Sequence, residues 1–299
     1  RLDGMKSSGF EKLEAWQLGY GYIGINAGKV PNVNVRRAIM AAMQASLATE
    51  YYSTGTCEVI DWPMSNKSWA YPREANGNSK PNGHDYTMWT GKEQAIAKVK
   101  KYMQAANVSA GDSQLKIRFT IAGASITEHP TYSVFKQAAE ILNDCGWDVE
   151  VKADSQALTK LSTGSLEVWA AAWGSTIDPD MYQVYHKDST AGSTLNWGYR
   201  EIKANSGNKY DYELEVITKL SELIDEGRNS TDNSKGGTRA QTYWSALDLV
   251  MELAVEMPTY QRTDLTAYNK NKIKASTLNQ KPTAFDGLFS RIWEVGYNN

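Results

Sequence analysis

The sequence predicts an α/β fold in which a mainly parallel sheet is flanked by helices. Between residues 115 and 172, three short segments of strand-like pattern alternate with two segments of helical periodicity. The connections between these segments are short, and this order is typical of a right-handed βαβαβ unit. At 299 residues, the chain is also long enough for one large domain or two lobes.

The N-terminal part of the chain predicts strand structure followed by helices. Residues 15–26 are aromatic and interrupted by glycine, as in one or two short strands. Pro31 precedes a helix with apolar residues at Val35, Ile39, Met43 and Leu47. Residues 51–90 are rich in Pro, Gly, Asn and Ser and predict a long irregular segment that has a function or covers a surface. A second helix then has apolar residues at Ala95, Ile96, Val99, Tyr102, Met103 and Ala106.

The central unit begins with an alternating strand, whose apolar residues are Leu115, Ile117, Phe119 and Ile121. Residues 132–144 show helical periodicity and end near Gly146, a residue type common after helices. A second strand starts at Trp147, a short helix lies within residues 155–164, and a third strand covers residues 166–172. The three strands are therefore expected to lie parallel in one sheet.

The C-terminal part of the chain predicts two more helices, at residues 212–225 and 237–254, separated by a link rich in Gly, Ser, Asn and Asp. A short strand follows at Pro258, and the tail to Asn299 has no regular pattern. No apolar stretch is long enough to cross a bilayer.

A dinucleotide-binding motif occurs in residues 19–24, which read Gly-Tyr-Gly-Tyr-Ile-Gly and match the GxGxxG pattern. That pattern binds a pyrophosphate when its glycines lead directly into a helix. Here Ile-Asn-Ala-Gly-Lys-Val-Pro follows at residues 25–31, which does not start a helix, and bulky tyrosines separate the glycines. We therefore interpret the segment as a glycine-rich strand.

Composition and motifs argue against several functional classes. The 32 basic and 34 acidic residues nearly balance, which gives no indication of nucleic-acid binding. The three histidines lie in separate segments without the spacing of a zinc site, and neither GxSxG nor HExxH occurs. We therefore predict no metal, no cofactor and no catalytic residue. Cys57 and Cys145 are far apart, so a free thiol is favoured for Cys145, with a disulfide between the two as the alternative.

The strongest candidate site is the loop that follows the third strand. The apolar strand ends in Trp173-Gly174, and a short polar loop then closes with Asp-Pro-Asp at residues 178–180. Open α/β sheets present ligand sites at the carboxyl ends of their strands. A flat ring, a glycine and small side chains with oxygen atoms suit ligand binding better than catalysis. The two aspartates are expected to fix the loop by accepting backbone hydrogen bonds. The alternative is a structural tryptophan beside a turn.

Several short motifs occur in an order that resembles a known family. They are Tyr22–Asn26 (Tyr-Ile-Gly-Ile-Asn), Pro31, Asn34–Ile39 (Asn-Val-Arg-Arg-Ala-Ile), Glu93–Tyr102, the Trp173 loop, Arg239, Tyr243 and Pro258–Tyr260. Together they resemble the extracellular solute-binding proteins of ABC importers, of the oligopeptide, dipeptide and nickel-binding type. The resemblance runs from about Gly19 to about Thr263.

The resemblance implies a set of ligand-binding residues: Trp173, Gly174, Ser175, Thr176, Asp178 and Trp197. The two tryptophans would form apolar walls, and the loop residues would supply polar anchors. In the family, an aspartate three residues after the tryptophan commonly receives the ligand's amino group. This chain has Thr176 there, and a neutral hydroxyl forms no charge-assisted pair with an ammonium group. Asp178 is the nearest carboxylate that would replace it.

The fold that the resemblance implies is a type II periplasmic-binding-protein-like lobe, plus strands of a first lobe that this chain lacks. Residues 1–30 would be strands crossing from lobe one, residues 31–256 would be lobe two, and residues 257–299 would be a return strand and tail of lobe one. The chain would then be a C-terminal fragment with about half of the ligand pocket. Its strands near the two boundaries would have free edges that are prone to self-association.

The implied function is capture of a solute, with peptides as the first choice, by closure of two lobes and without catalysis. The partners would be the peptide and the permease of an ABC transporter. The location would be extracellular or periplasmic, with a lipidated N-terminus outside this chain as one way of anchoring. Two other classes stay open: a peptide sensor or surface interaction protein on the same fold, and a nucleotide-dependent α/β enzyme.

Overall fold

One mixed sheet organises the structure. The computed structural model describes residue 6, residues 8–174 and residues 176–298. Its strands are β1 (Phe10–Ile25), β2 (Cys57–Val59), β3 (Lys116–Ala122), β4 (Asp148–Asp154), β5 (Val168–Trp173) and β6 (Glu256–Asn269). They form a six-stranded sheet in the order β2, β6, β1, β5, β3, β4. The predicted α/β class is confirmed.

Helices cover both faces of this sheet. They are α1 (Val33–Ala41), α2 (Lys92–Ala105), α3 (Tyr132–Asp144), α4 (Ala157–Ser162), α5 (Tyr182–Tyr185), α6 (Gly192–Asn196), α7 (Tyr199–Ala204), α8 (Asp211–Asn229) and α9 (Thr238–Leu253). The apolar residues of α1, α2 and α3 form one core with the sheet, and those of α4, α5, α7, α8 and α9 form a second. The sheet therefore lies between two apolar layers.

The predicted βαβαβ unit is confirmed. β3 pairs in parallel with β4 along its whole length, and in parallel with β5, where Phe119 lies opposite Val168. The helix α3 that connects β3 to β4 packs on the sheet, and the rings of Phe119 and Phe135 have centroids 4.9 Å apart. This arrangement places the carboxyl ends of all three strands at the same edge of the unit.

The sheet as a whole is mixed because β1 and β6 join it as antiparallel strands. Residues 20–25 of β1 pair with β5 on one side, and residues 20–24 pair with β6 on the other. Residues 10–16 of β1 pair with residues 263–269 of β6. These two segments are the outer halves of β1 and β6. Both strands are longer than the sequence predicted, because the outer halves lack the one-sided apolar pattern by which a strand is recognised. The assignment of residues 1–30 and 257–299 to another lobe stays a prediction.

The glycine-rich segment is strand structure, as interpreted from the sequence. Residues 19–24 lie within β1, and a turn at Asn26 follows them. Gly24 lies opposite Trp169 of β5, and a Cβ atom on Gly24 would come within 2.2 Å of the Trp169 ring. The indole therefore lies across the β1 backbone, an approach that only glycine permits.

The long irregular segment, residues 51–90, covers part of the second core. Trp62 is buried in that core, and its Nε1 donates a 2.5 Å hydrogen bond to the carbonyl oxygen of Lys80. Nε2 of His84 lies 2.9 Å from Oδ1 of Asp248 in α9. These contacts hold the segment against α9 without regular secondary structure of its own beyond β2 and short turns.

The two cysteines are free thiols, so the structure contains no disulfide between Cys57 and Cys145. Cys145 is buried at the end of α3, directly before Gly146, whose φ is +87°. No helix in the described part of the chain is long and apolar enough to cross a membrane. Among the same residues, no group of three or more His, Cys, Asp or Glu side chains is placed to hold a metal ion.

Candidate functional site

The candidate loop begins where β5 ends, at Trp173. Successive side chains of β5 alternate between the two cores, so the strand holds the start of the loop firmly. Gly174, Thr176 and Asp178 are exposed beyond it. Ser175, which the sequence also suggested, lies outside the described residues.

The Trp173 ring has a fixed orientation. It stacks on Tyr22 of β1, with ring centroids 4.9 Å apart and planes 7° from parallel. Its Nε1 donates a 3.1 Å hydrogen bond to Oε1 of Glu256, the first residue of β6. The side chain is only half-buried. A ligand that contacts the exposed part meets a surface that is already ordered, which reduces the entropic cost of binding.

Glu256 is a carboxyl group enclosed by aromatic donors. It is completely buried, and it also accepts hydrogen bonds from the hydroxyls of Tyr20 at 3.1 Å and Tyr185 at 2.5 Å. Burial raises the pKa of Glu256 to about 7, although the three donors oppose this shift by stabilising the charged form. Burial and the neighbouring Glu256 charge raise the pKa of both tyrosines well above its usual range, so both hydroxyls remain donors.

Trp197 does not form a second exposed wall, which corrects the expectation from the sequence. Its side chain has no exposed surface. The ring stacks on Trp169 at 5.8 Å and meets Trp173 edge-on at 6.2 Å, and its Nε1 donates to the carbonyl oxygen of Val184 at 2.9 Å. The apolar layer between the sheet and α5 encloses Trp197. Trp197 therefore supports the Trp173 ring from within the core.

The charge of Asp178 is already paired. Arg239 of α9 donates from both terminal nitrogens to the Asp178 carboxylate, at 2.9 and 3.1 Å. The guanidinium is itself buried, and Nε donates to the carbonyl oxygen of Gly227 at 2.7 Å. A ligand ammonium at Asp178 would therefore add to an existing bidentate ion pair, and would not meet a free carboxylate.

Hydrogen bonds within the loop fix its shape, as expected for the two aspartates. The amide of Asp180 donates to Oδ1 of Asp178 at 3.0 Å, and the amide of Tyr182 donates to Oδ1 of Asp180 at 2.9 Å. Thr176 Oγ1 donates to the carbonyl oxygen of Asp178 at 2.9 Å. Its oxygen keeps the capacity to accept a further hydrogen bond.

Two cavities share Trp173 as a wall. The smaller one, of about 140 Å³, lies over the candidate loop and is also lined by Thr176, Asp178 and residues 63–65 of the long irregular segment. The larger one, of about 370 Å³, lies between β5 and the helices α4 and α6. The structure thus brings together Trp173, Gly174, Thr176 and Asp178 around open space.

The group beneath this site, Glu256 with Tyr20 and Tyr185, is not predicted by any of the sequence patterns described above. A signal was present: Glu256 stands alone as a charged residue in the apolar run Leu-Ala-Val-Glu-Met at residues 253–257. An acid in such a run is usually buried and hydrogen-bonded, and buried carboxyl groups lie at functional sites more often than elsewhere.

No family model and no curated protein matches the sequence. The fold is the one found in substrate-binding proteins of ABC transporters, since solved structures of such proteins superimpose on the chain. It is an α/β periplasmic-binding-protein-like lobe with a sheet flanked by helices.

Three solved structures illustrate the similarity. The ABC transporter-associated periplasmic binding protein DppA of Helicobacter pylori, in complex with the peptide STSA, is 17% identical with a TM-score of 0.68, over 100% of this chain and 51% of DppA. The oligopeptide-binding protein AppA of Bacillus subtilis, in complex with a nonapeptide, is 13% identical with a TM-score of 0.66. The match covers 100% of this chain and 55% of AppA. The murein tripeptide binding protein MppA of Escherichia coli is 19% identical with a TM-score of 0.61. The match covers 88% of this chain and 46% of MppA.

The chain spans about half the length of each of these proteins. At these identities the similarity establishes the fold. The resemblance seen in the sequence is confirmed at that level.

Proposed function

We propose that this chain is the C-terminal, mostly lobe-two part of a solute-binding protein that captures peptides for an ABC importer. The single observation that carries the proposal is the oriented Trp173 ring, half exposed at the end of β5 and bordered by two cavities. It occurs on a fold of which two solved examples are complexes with peptides. This chain covers only about half of each of those two proteins, which supports the view that a first lobe completes the protein.

The mechanism is capture between two lobes followed by closure, with no covalent step. Trp173 supplies an apolar wall for the ligand. Thr176, Asp178 and the exposed backbone at Gly174 supply polar contacts, with Ser175 beside them. Because Arg239 already neutralises Asp178, these contacts select by hydrogen bonding more than by net charge.

The permease of the importer would receive the ligand from an extracellular or periplasmic binding protein, anchored by lipid at an N-terminus outside this chain. The edge strands β2 and β4, together with the outer halves of β1 and β6, are the sites at which this chain would self-associate in isolation.

The isolated chain is expected to bind peptides more weakly than a longer protein that contains it, by more than about tenfold in Kd. One lobe contacts only one side of a ligand and excludes little water. Calorimetry with the same peptide mixture on both proteins measures the difference. Equal affinities would contradict the lobe assignment, and no binding by the longer protein would contradict the proposed function.

Trp173→Ala in the longer protein is expected to weaken peptide binding by about 1–3 kcal/mol, the range for loss of a buried aromatic contact. The exposed part of the ring would lie against the ligand, and alanine leaves that contact empty. Titration calorimetry gives the change in affinity, and a thermal melt of the free protein gives the change in stability.

Trp173→Phe is the matched control for that variant. It keeps an aromatic wall on Tyr22 but removes the N–H that donates to Glu256. Affinity close to the original value is expected. If Trp173→Ala leaves affinity unchanged and only lowers the melting temperature, Trp173 is a core residue and the site lies elsewhere.

A further inference from the structure

The larger of the two cavities, of about 370 Å³, presents apolar side chains that a ligand can reach. Leu158 of α4 lines it and is 74% exposed, and Ala172 of β5 lines it and is exposed as well. Leu161, Ala171 and Trp173 also line it; they are half-buried and pack against the second core. A ligand therefore meets apolar surface here without any rearrangement of the core.

The exposure of Leu158 is informative because of its position. A single exposed leucine is ordinary on a protein surface and needs no explanation. Leu158 instead lines the same concave surface as four other accessible apolar residues, on the helix that faces β5. Connected apolar surface of this kind marks a binding site more often than isolated residues do. Leu158 adds little to the folded core, so its contacts remain available to a ligand.

The cavity offers no partner for a charged group. None of its lining residues is Asp, Glu, Lys or Arg. The lining residue His129 accepts a hydrogen bond at Nδ1 from the Thr131 amide at 3.1 Å, and burial lowers its pKa, which favours the neutral ring. Lys160 of α4 lies outside the lining and pairs with Asp154 of β4 at 2.5 Å. A charged ligand group would lose hydration here without gaining a counter-ion.

Trp173 connects this cavity to the candidate loop. Its ring lines both the larger cavity and the smaller one over the loop. The stack on Tyr22 and the hydrogen bond to Glu256 hold the ring in place between them. An extended ligand that passes over Trp173 can therefore place one group in each cavity.

We propose that the larger cavity binds an apolar side chain of the captured ligand, of leucine size or larger, and that Leu158 determines this specificity. This inference rests on the proposed function and names the class of ligand within it. The side chain packs between Leu158 and Leu161 of α4 and Ala171 and Trp173 of β5. Each carbon that it buries there is favourable, and a cavity of this volume has room for one such side chain.

The first test uses this chain by itself, since the cavity lies wholly within it. The probes are N-acetyl-leucinamide and N-acetyl-alaninamide, which share the same backbone groups and differ by three carbon atoms. NMR titration is expected to show the leucine compound binding about tenfold more tightly, because those carbons are partly buried in an open cavity. The methyl signals of Leu158 and Leu161 should shift during the titration.

Variants on α4 test the role of Leu158. Leu158→Asp puts a carboxylate into the cavity wall and is expected to weaken binding of N-acetyl-leucinamide at least about tenfold. Leu158→Ala removes the contact without adding a charge and should weaken it about threefold. Thr159→Asp is the matched control: it adds the same charge to the next residue, which is exposed and does not line the cavity, and should change the affinity less than about twofold. Thermal melts check that all three variants fold.

The second test uses the longer protein and trialanine with leucine, phenylalanine, lysine or glutamate at each position in turn. At one position, leucine and phenylalanine are expected to bind about 10- to 100-fold more tightly than alanine. Lysine and glutamate at the same position should bind no more tightly than alanine. Leu158→Asp should reduce the advantage of leucine to about threefold or less, whereas Thr159→Asp should retain it.

The outcomes separate this inference from the proposed function. Equal binding of the two amides, or shifts that leave Leu158 and Leu161 unaffected, overturns the inference. Peptide binding without an apolar preference at any position, or with a preference that Leu158→Asp leaves unchanged, also overturns it and leaves the proposed function intact. Preferential binding of N-acetyl-leucinamide together with no peptide binding contradicts the proposed function, while the apolar site at Leu158 stands.

Discussion

Arg36→Met is expected to lower the free energy of unfolding by about 3–5 kcal/mol, the range for removing one partner of a buried ion pair. Arg36 is completely buried and pairs with Glu213 of α8 at 2.8 Å. It also donates to the carbonyl oxygens of Val30, Pro31 and Leu253, at 2.9 to 3.1 Å. Methionine removes every one of these donors and leaves the Glu213 carboxylate buried without a counter-charge. Chemical denaturation measures the change.

Two further variants test the cause of that loss. Arg36→Met combined with Glu213→Leu removes both charges and is expected to recover at least about 1–2 kcal/mol, because the buried charge is gone while the carbonyl groups stay unpaired. Arg200→Met breaks an exposed pair with Glu201 and is expected to change stability by less than about 1 kcal/mol. If Arg36→Met alone lowers the free energy of unfolding no more than Arg200→Met does, the structural role of Arg36 is contradicted.

Glu256 is expected to make the protein less stable as the pH rises from about 4.5 to about 7. The pKa of Glu256 rises from 4.5 to about 7 on burial, so the folded state holds its proton over a range in which the unfolded state has lost it. Below this window both states are protonated and the effect is absent. Above the window, the free energy of unfolding is lower by about 3 kcal/mol, at about 1.4 kcal/mol for each pKa unit.

Glu256→Gln is expected to abolish this pH dependence, because the amide does not titrate. The free energy of unfolding of both proteins would be measured by chemical denaturation from pH 4 to pH 8. The difference between them should change by about 3 kcal/mol across the window. Glu222→Gln, an exposed substitution on α8, is the control and should leave the pH profile of the original protein unchanged. Parallel profiles for the Glu256 variant and the original would show that Glu256 is not the responsible group.

The central unit could be predicted because its signals are local. Alternation at residues 115–121, the helical stripe at residues 132–144 and the glycine stop at Gly146 each depend on a few neighbouring residues. The outer halves of β1 and β6 could not be recognised in the same way. Their strand structure depends on pairing between opposite ends of the chain, which leaves no periodic pattern in either segment alone.

The candidate site could be predicted only in part, for a related reason. The position of Trp173 follows from the end of a strand, which the sequence shows. The burial of Trp197 depends on the packing of α5 and the sheet around it, and an aromatic residue near a glycine looks the same whether it is exposed or enclosed. The pairing of Asp178 with Arg239 joins residues far apart in the chain, and no local pattern of charges indicates it.

The pairing of β1 with β6 also bears on the order in which the chain folds. Phe10 lies opposite Asn269, so the outer half of β1 has no strand partner until nearly the whole chain has been synthesised. Contacts of such large sequence separation form slowly, because a long loop must close before they contribute. During synthesis, the helices and parallel strands between residues 92 and 173 can form from local contacts. Residues 10–16 of β1 meanwhile present open edges that favour pairing with a second nascent chain, and the arrival of β6 covers one of these edges.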